Sequence, residues 1–256
     1  MTLRPLASLV ALALALSFSS AHARLNIDSD HCDVESDYST RFDAERITFT
    51  NDKTHRVVVL GPAGVIVVDG KALALDAADR ENAVELERAI RAIVPQAKAL
   101  AIDAVGIAFE AVGHASSAFA SDAHQARESA ERIARTADEL KRAINARDDW
   151  GPQSEKEIDR LIEGSVGSLI GEMIGNITAQ AISVAFSGDE AAVAELEARA
   201  GSIEKNVEKA VESHAKELGK RADALCQQVH ELDRIESKFN ARMPDGSPID
   251  LIQIKR

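Results

Sequence analysis

Val65-Ile66-Val67-Val68-Asp69-Gly70-Lys71-Ala72-Leu73-Ala74-Leu75 is where the chain changes character. Four β-branched residues run into Asp-Gly, the pair that best tolerates the two positive φ angles of a tight hairpin turn. Lys71 to Leu75 then reads as the return strand, with Leu73 and Leu75 on one face. Upstream, Arg46-Ile47-Thr48-Phe49-Thr50 and Arg56-Val57-Val58-Val59-Leu60 carry the same β signature, and Gly61-Pro62-Ala63-Gly64 is a turn. The expectation is an antiparallel meander over residues 45–75. So small a sheet is marginal alone and needs a packing partner.

Downstream the period changes to that of a helix. Asp76-Ala77-Ala78-Asp79 is a plausible N-cap, followed by Val84, Ile90, Ile93, Val94, Ala97 and Leu100 at helical spacing. Pro95 is expected to kink or divide this helix, because it lacks an N–H and crowds the preceding turn. The Gly113–Ser117 stretch is expected to weaken it. Ala126, Ala130, Ile133, Ala137, Leu140 and Ile144 form a heptad-like seam ending before Asp148-Asp149-Trp150-Gly151-Pro152. Ser154 and Glu157 make a capping-box signature for a third helix over 154–186. From Leu161 to Phe186 its only charges are Glu163 and Glu172, and Gly164, Gly167, Gly171 and Gly175 mark one side. Each internal glycine costs about 1 kcal/mol against alanine, so four of them call for a neighbour that approaches closely. The expectation is a central helix wrapped by its neighbours, with membrane association as the alternative because the stretch nearly reaches spanning length.

Ser187-Gly188-Asp189 reads as a stop, a turn and a new cap. A last helix then runs from Glu190 to Ala241. Its stripe is Val193, Leu196, Ala200, Ile203, Val207, Ala210, His214, Leu218, Leu225, Val229, Leu232 and Phe239, with a slip near Gly219. At about 1.5 Å per residue it would be about 75 Å long. Ile249 to Ile254 alternates as a strand and is expected to pair with, or pack on, the N-terminal sheet. The fold class expected is α+β, predominantly α: an elongated antiparallel helical bundle or coiled coil with a small N-terminal β-meander. Its parts are an acidic segment and meander (24–75), long helices (76–241), and a C-terminal turn and strand (242–256).

Residues 1–23 have the form of a cleavable export signal. Arg4 is basic, Leu6 to Leu16 is a short apolar run, and Ala21-His22-Ala23 is a small-x-small cleavage site. Export implies an oxidising periplasm, where the only two cysteines, Cys32 and Cys226, are expected to pair. Such a bridge closes a loop of about 195 residues, worth about 5 kcal/mol in the chain-entropy treatment. A zinc site from His31, Cys32, Cys226 and His230 is the competing reading. The net charge of −12 argues against nucleic acid, whose phosphates need clustered Lys and Arg.

Searching for chemistry yields little. His114, His124, His214 and His230 show no H-E-x-x-H spacing, and His214 reads as a core or boundary histidine. Ser165 and Ser168 lie among glycines without a nucleophile elbow, and Gly164–Gly175 lacks the G-K-[ST] end of a phosphate loop. Asp28, Asp30, Asp33, Glu35 and Asp37 read as a solvated tail or a weak Ca²⁺ site. Glu163 and Glu172 read as boundary residues rather than a glycosidase pair. No catalytic, cofactor-binding or metal residue is assigned.

Several short pieces together resemble a known family. They are Cys32 after the signal, Val65-Ile66-Val67-Val68-Asp69-Gly70-Lys71, Glu85-Leu86, Ile93-Val94-Pro95, the glycine-marked Ser165–Gly175, and Lys220-Arg221-Ala222-Asp223-Ala224-Leu225-Cys226. In layout the chain is similar to the YggN-like family of exported bacterial proteins of unknown function. The resemblance implies export and paired cysteines and transfers no functional residue. The function expected is therefore that of a non-enzymatic envelope protein with a protein-binding or assembly role. Membrane association through 161–186 is the first alternative, and an enzyme or metal-binding protein the second. The partner expected is another envelope protein or a second copy of the chain.

Overall fold

The computed structural model describes residues 33–255. The signal at 1–23, Asp28, Asp30, His31 and Cys32 lie outside the described residues.

The meander forms with one more strand than expected. Strands β1 (Asp33–Glu35), β2 (Tyr38–Phe42), β3 (Ile47–Asn51), β4 (Val57–Gly61), β5 (Val65–Val68) and β6 (Lys71–Ala72) are followed, after two helices, by β7 (Asp149–Trp150). The six-stranded antiparallel sheet has the order β6-β5-β4-β3-β2-β7. The Asp69-Gly70 turn has φ of 48° and 78°, both positive as a type I′ hairpin demands, and pairs Val68 with Lys71. Register builds one apolar face from two cross-strand rows, Phe49-Val58-Val68 and Ile47-Leu60-Ile66. All six side chains are buried. Each contributes about 1.5–3 kcal/mol of apolar burial.

Four long helices supply the other layers: α1 (Ala77–Ala118), α2 (Ala123–Asn145), α3 (Pro152–Ser187) and α4 (Glu190–Glu236). Asp76 caps α1 by accepting from the Asp79 amide at 2.8 Å. The first turns of α1 lay Ala83, Leu86 and Ile90 on the sheet, and the last turns of α4 add Leu232 and Ile235. The chain after α4 completes this core with Phe239, Met243, Ile249 and Leu251. Strand β8 (Gln253–Lys255) then pairs antiparallel with β1 in a separate two-stranded ribbon. Of the segment expected at 249–254 as a strand, Ile249 and Leu251 pack on the sheet core as expected, while the strand itself begins later and pairs with β1 rather than with the meander.

Several expectations are corrected. The acidic stretch read as a solvated tail or weak Ca²⁺ site is strand at residues 33–35, and strand follows at 38–42, because β8 and β3 complete their hydrogen bonding. Pro95 does not divide α1, and the helix also continues through Gly113–Ser117. Gln96 Nε2 donates to the Ala92 carbonyl at 2.9 Å, serving an acceptor in the turn that the proline ring disturbs. α3 starts at Pro152, with Gly151 as a cap that makes no side-chain hydrogen bond. Proline at the first helical position needs no N–H partner, and Ser154 is not the cap. α4 ends at Glu236, not Ala241. The seam of α2 holds at Ile133, Ala137, Leu140 and Ile144, but nearer its start Ser129 is buried and Ala130 exposed.

α1 and α4 run antiparallel, and polar pairs recur between them. Gln96 and Gln228 exchange two amide bonds at 2.9 and 3.0 Å. Asp103 accepts from Arg221 at 2.5 Å. Glu110 lies 3.4 Å from His214. The pairs advance by one heptad on each helix and so fix the register. Between them Leu100, Ala222 and Leu225 form an apolar seam. The stripe positions 196, 200, 203, 207 and 210 lie outside the described side chains.

Candidate functional site

α3 leaves the sheet from a tightly held point. Trp150 pairs with Thr40, and Gly151 sits so close to Ser39 that a Cβ there would lie 2.4 Å from its Oγ. From this point α3 leans on α2 and α1 through one stripe: Ile162, Val166 and Leu169 meet Phe109, Ile133, Ala137, Leu140 and Ile144. Leu169 alone among the described α3 side chains is buried, at 8% exposed. Polar ties extend the stripe. Arg132 donates to Glu172 and, at 3.2 Å, to the hydroxyl of Ser129. Gln180 Nε2 donates to the Phe119 carbonyl at 2.5 Å.

The opposite side of α3 is uncovered. Leu161 is 37%, Ile174 38%, Ile182 52% and Phe186 88% exposed. A Cβ built at Gly164, Gly167, Gly171 or Gly175 would meet nothing within 4 Å. The expected central helix wrapped by its neighbours is therefore not what forms. One stripe suffices to hold α3 against α2, and no described element lies across its glycines. Residues 173–187 contain no ionisable side chain, and Glu172 is paired with Arg132. The exposed face is thus uncharged over about 22 Å of helix, at about 1.5 Å per residue. By length and hydropathy the helix that reaches membrane-spanning measure among the described residues is α1. An 18-residue window of it has mean hydropathy 1.5 and is 11% buried.

The residues singled out in the sequence are scattered. His214 is an exposed surface residue facing Glu110 rather than a core histidine. His114 lies 3.8 Å from the other oxygen of Glu110, and His124 lies 3.7 Å from Glu128. Glu163 is exposed. Asp37 accepts from Lys53 at 2.8 Å, while Asp33 and Glu35 belong to a strand. Cys226 is buried at 6% beside Leu225, and no cysteine is free among the described residues.

Two buried carboxylates had no sequence signal. Asp79, 2% exposed in the first turn of α1, accepts from the amides of Asn240 and Ala241 at 2.9 and 3.0 Å. Glu236, 5% exposed at the end of α4, faces the amides of Leu251 and Ile252 at 3.2 and 3.3 Å. Burial pushes its carboxyl from 4.5 up to about 8 against the opposing pull of those amides, with Asp250 and Asp233 pushing the same way as burial. Asp245, in the turn before the C-terminal strand, is held well below the carboxylate range by the Ser247 hydroxyl and amide, and by Arg56 at 2.7 Å. These groups fasten the C-terminal segment to the core. They have the arrangement of structural ties rather than of a reacting pair.

A family model described as a protein of unknown function, DUF2884, matches residues 32–252. No curated protein matches the chain, and no solved structure does.

Proposed function

The chain belongs to the DUF2884 family, and from that premise we propose that it is an exported, non-enzymatic protein of the bacterial envelope that docks another protein on the open face of α3. The observation that carries this reading is the uncovered face bearing Gly164, Gly167, Gly171 and Gly175, free of ionisable side chains from Met173 onward, beside Ile174, Ile182 and Phe186. Glycines in a helix interior cost stability, and a contiguous exposed apolar surface marks a place of contact. Both make sense where a second helix lies closely against α3. Export rests on the signal-like residues 1–23 and on the YggN-like resemblance. A Cys32–Cys226 disulfide belongs to the same reading. β1 starts one residue after Cys32 and pairs with β8, which follows the helix carrying Cys226.

A photo-crosslinking side chain placed in living cells at position 171, 182 or 186, with position 135 as control, tests the docking. One discrete heterologous adduct at the three α3 positions, and none at 135, is expected. An adduct of twice the chain mass would make the partner a second copy. Equal, diffuse labelling at all four positions would refute a docking face.

Phe186, 88% exposed at the end of α3, favours one other reading, insertion of that tip into a lipid surface. Flotation of the signal-less protein with envelope-lipid vesicles separates the two. Salt-resistant co-flotation lost in Ile174→Asp would replace protein docking by membrane association.

A further inference from the structure

Among the described residues five large apolar side chains are exposed, and four of them, Leu161, Ile174, Ile182 and Phe186, lie on α3. Their spacing turns them to the side opposite Ile162, Val166 and Leu169, which meet α1 and α2. The face they form is uneven along its length. Glycines gather toward its start, at 164, 167, 171 and 175, and the largest exposed side chains toward its end, at 174, 182 and 186. A two-fold rotation exchanges the two ends. With the helices antiparallel and the axis between Ile174 and Gly175, Ile182 of one copy comes level with Gly167 of the other, Ile174 with Gly175 and Leu161 with Gly188, and Phe186 falls beside Gly164. We infer that in the isolated protein this face is closed by a second copy of the chain, two α3 helices pairing antiparallel about that axis, and that the pairing masks the face until a partner displaces it.

Shape and charge both favour a second copy. A facing isoleucine or phenylalanine seats directly on the backbone where the other helix has glycine, which lets the two axes approach closely. In the same register Arg160, exposed on this face, comes level with Asp189, the exposed carboxylate that caps α4. Asp159 lies about 100° round the helix from Arg160, and Glu157 is engaged by Arg147 at 2.9 Å, so neither opposes the pair. The face from 161 to 186 is about 39 Å long at about 1.5 Å per residue. One helix pair of that length engages fewer than the about 20–30 residues a side of a standard interface. The self-pairing is therefore weak and reversible, in the micromolar range, and gives way to a larger contact. Masking rests on the docking reading above, whereas the self-pairing stands on the face alone.

Sedimentation equilibrium of the oxidised, signal-less chain across a micromolar concentration series tests it. A reversible monomer–dimer equilibrium is expected. Ile182→Asp should weaken it about tenfold or more, because a charge then enters the contact, and Arg160→Glu should weaken it several-fold. Circular dichroism of each variant shows that it is folded. Register is read by oxidation of engineered cysteines: Gly167→Cys and Ile182→Cys should bridge to one another when mixed and neither to itself, and Ile174→Cys should bridge to itself. A chain that stays monomeric throughout, or Gly167→Cys bridging to itself, overturns the self-pairing and leaves the docking reading to the crosslinks in cells. A dimer in this register with no heterologous adduct in cells supports the pairing and refutes the docking reading.

Discussion

Glu236 makes the stability of this fold depend on pH in the direction opposite to most carboxylates. Its side chain keeps its proton up to about pH 8 in the folded protein, whereas the unfolded chain releases it near 4.5. Between these values the folded state binds more protons, so stability falls as pH rises. Below 4.5 both states are protonated and nothing is lost. Above about 8 both are ionised and the loss is complete. Each pH unit in the window is worth about 1.4 kcal/mol, so the full effect approaches about 5 kcal/mol. The cause is visible in the contacts. The Leu251 and Ile252 amides stand 3.2–3.3 Å away, too long to offset the loss of water around a group 5% exposed, and no cation among the described residues is paired with it. Glu236→Gln keeps the shape and an acceptor for those amides but cannot ionise. Urea unfolding of both proteins, followed by circular dichroism from pH 4 to 9, should show near-equal stability at pH 4. The variant should gain on the wild type steadily to about pH 8, and by a constant amount beyond. A difference that does not change with pH would refute the reasoning.

Gly64→Ala would place a methyl 2.3 Å from the Arg80 carbonyl at a φ of +74°. A loss of about 2–4 kcal/mol is expected in the same urea assay, and a loss under about 0.5 kcal/mol would show that the 62–64 turn is free to move off α1. Asp79→Ala strips the Asn240 and Ala241 amides of their acceptor and should cost about 2–4 kcal/mol. Hydrogen exchange at those two amides should quicken beyond the global change, and unchanged local protection would count against the tie. A double-mutant cycle on Asp103 and Arg221, both nearly half exposed, should return a coupling of about 0.3–1 kcal/mol that 1 M salt removes; a coupling that 1 M salt leaves intact would contradict a solvent-screened pair. Gly171→Ala meets open space and should stabilise the isolated protein by about 1 kcal/mol while weakening the α3 crosslink; a destabilised protein would mean that something described as absent lies against that face.

The parts of this fold that could be read in the sequence are those whose signal is local. Asp69-Gly70 specifies its hairpin because two adjacent positive φ angles admit few other residues. Ile47, Phe49, Val58, Leu60, Ile66 and Val68 announce their burial by strict alternation beside β-branched neighbours. Ser187-Gly188-Asp189 encodes a stop and a start, and the structure has Gly188 at φ 66° and Asp189 accepting from Ala191 and Ala192. What could not be read depends on partners remote in the chain. Tyr38–Phe42 carries too few apolar residues to signal a strand and becomes one because β3 pairs with its whole length. Asp79 and Glu236 look like ordinary helical acids, and only the return of residues 240–252 buries them. Pro95 was expected to kink or divide α1, and it does not divide it, because a helix pressed between α2 and α4 has its course fixed from outside. The environment of α3 was misread for the same reason: an apolar, charge-poor helix has one composition whether its neighbours surround it or leave one side bare.

The distribution of apolar residues then separates the end where this protein is held from the face proposed to dock a partner. At the sheet end the largest side chains are buried on every side, and two carboxylates, a β-ribbon and the Arg56–Asp245 bond pin the C-terminal segment against them. Away from the sheet, α3 keeps one buried leucine and turns Ile174, Ile182, Phe186 and four glycines outward. Had selection acted on stability alone, alanine at the four open glycines would have added about 1 kcal/mol each at no steric cost. A helix that forgoes several kcal/mol along one open face, beside a sheet end closed by its own side chains, is what the proposed docking of a partner on that face would require.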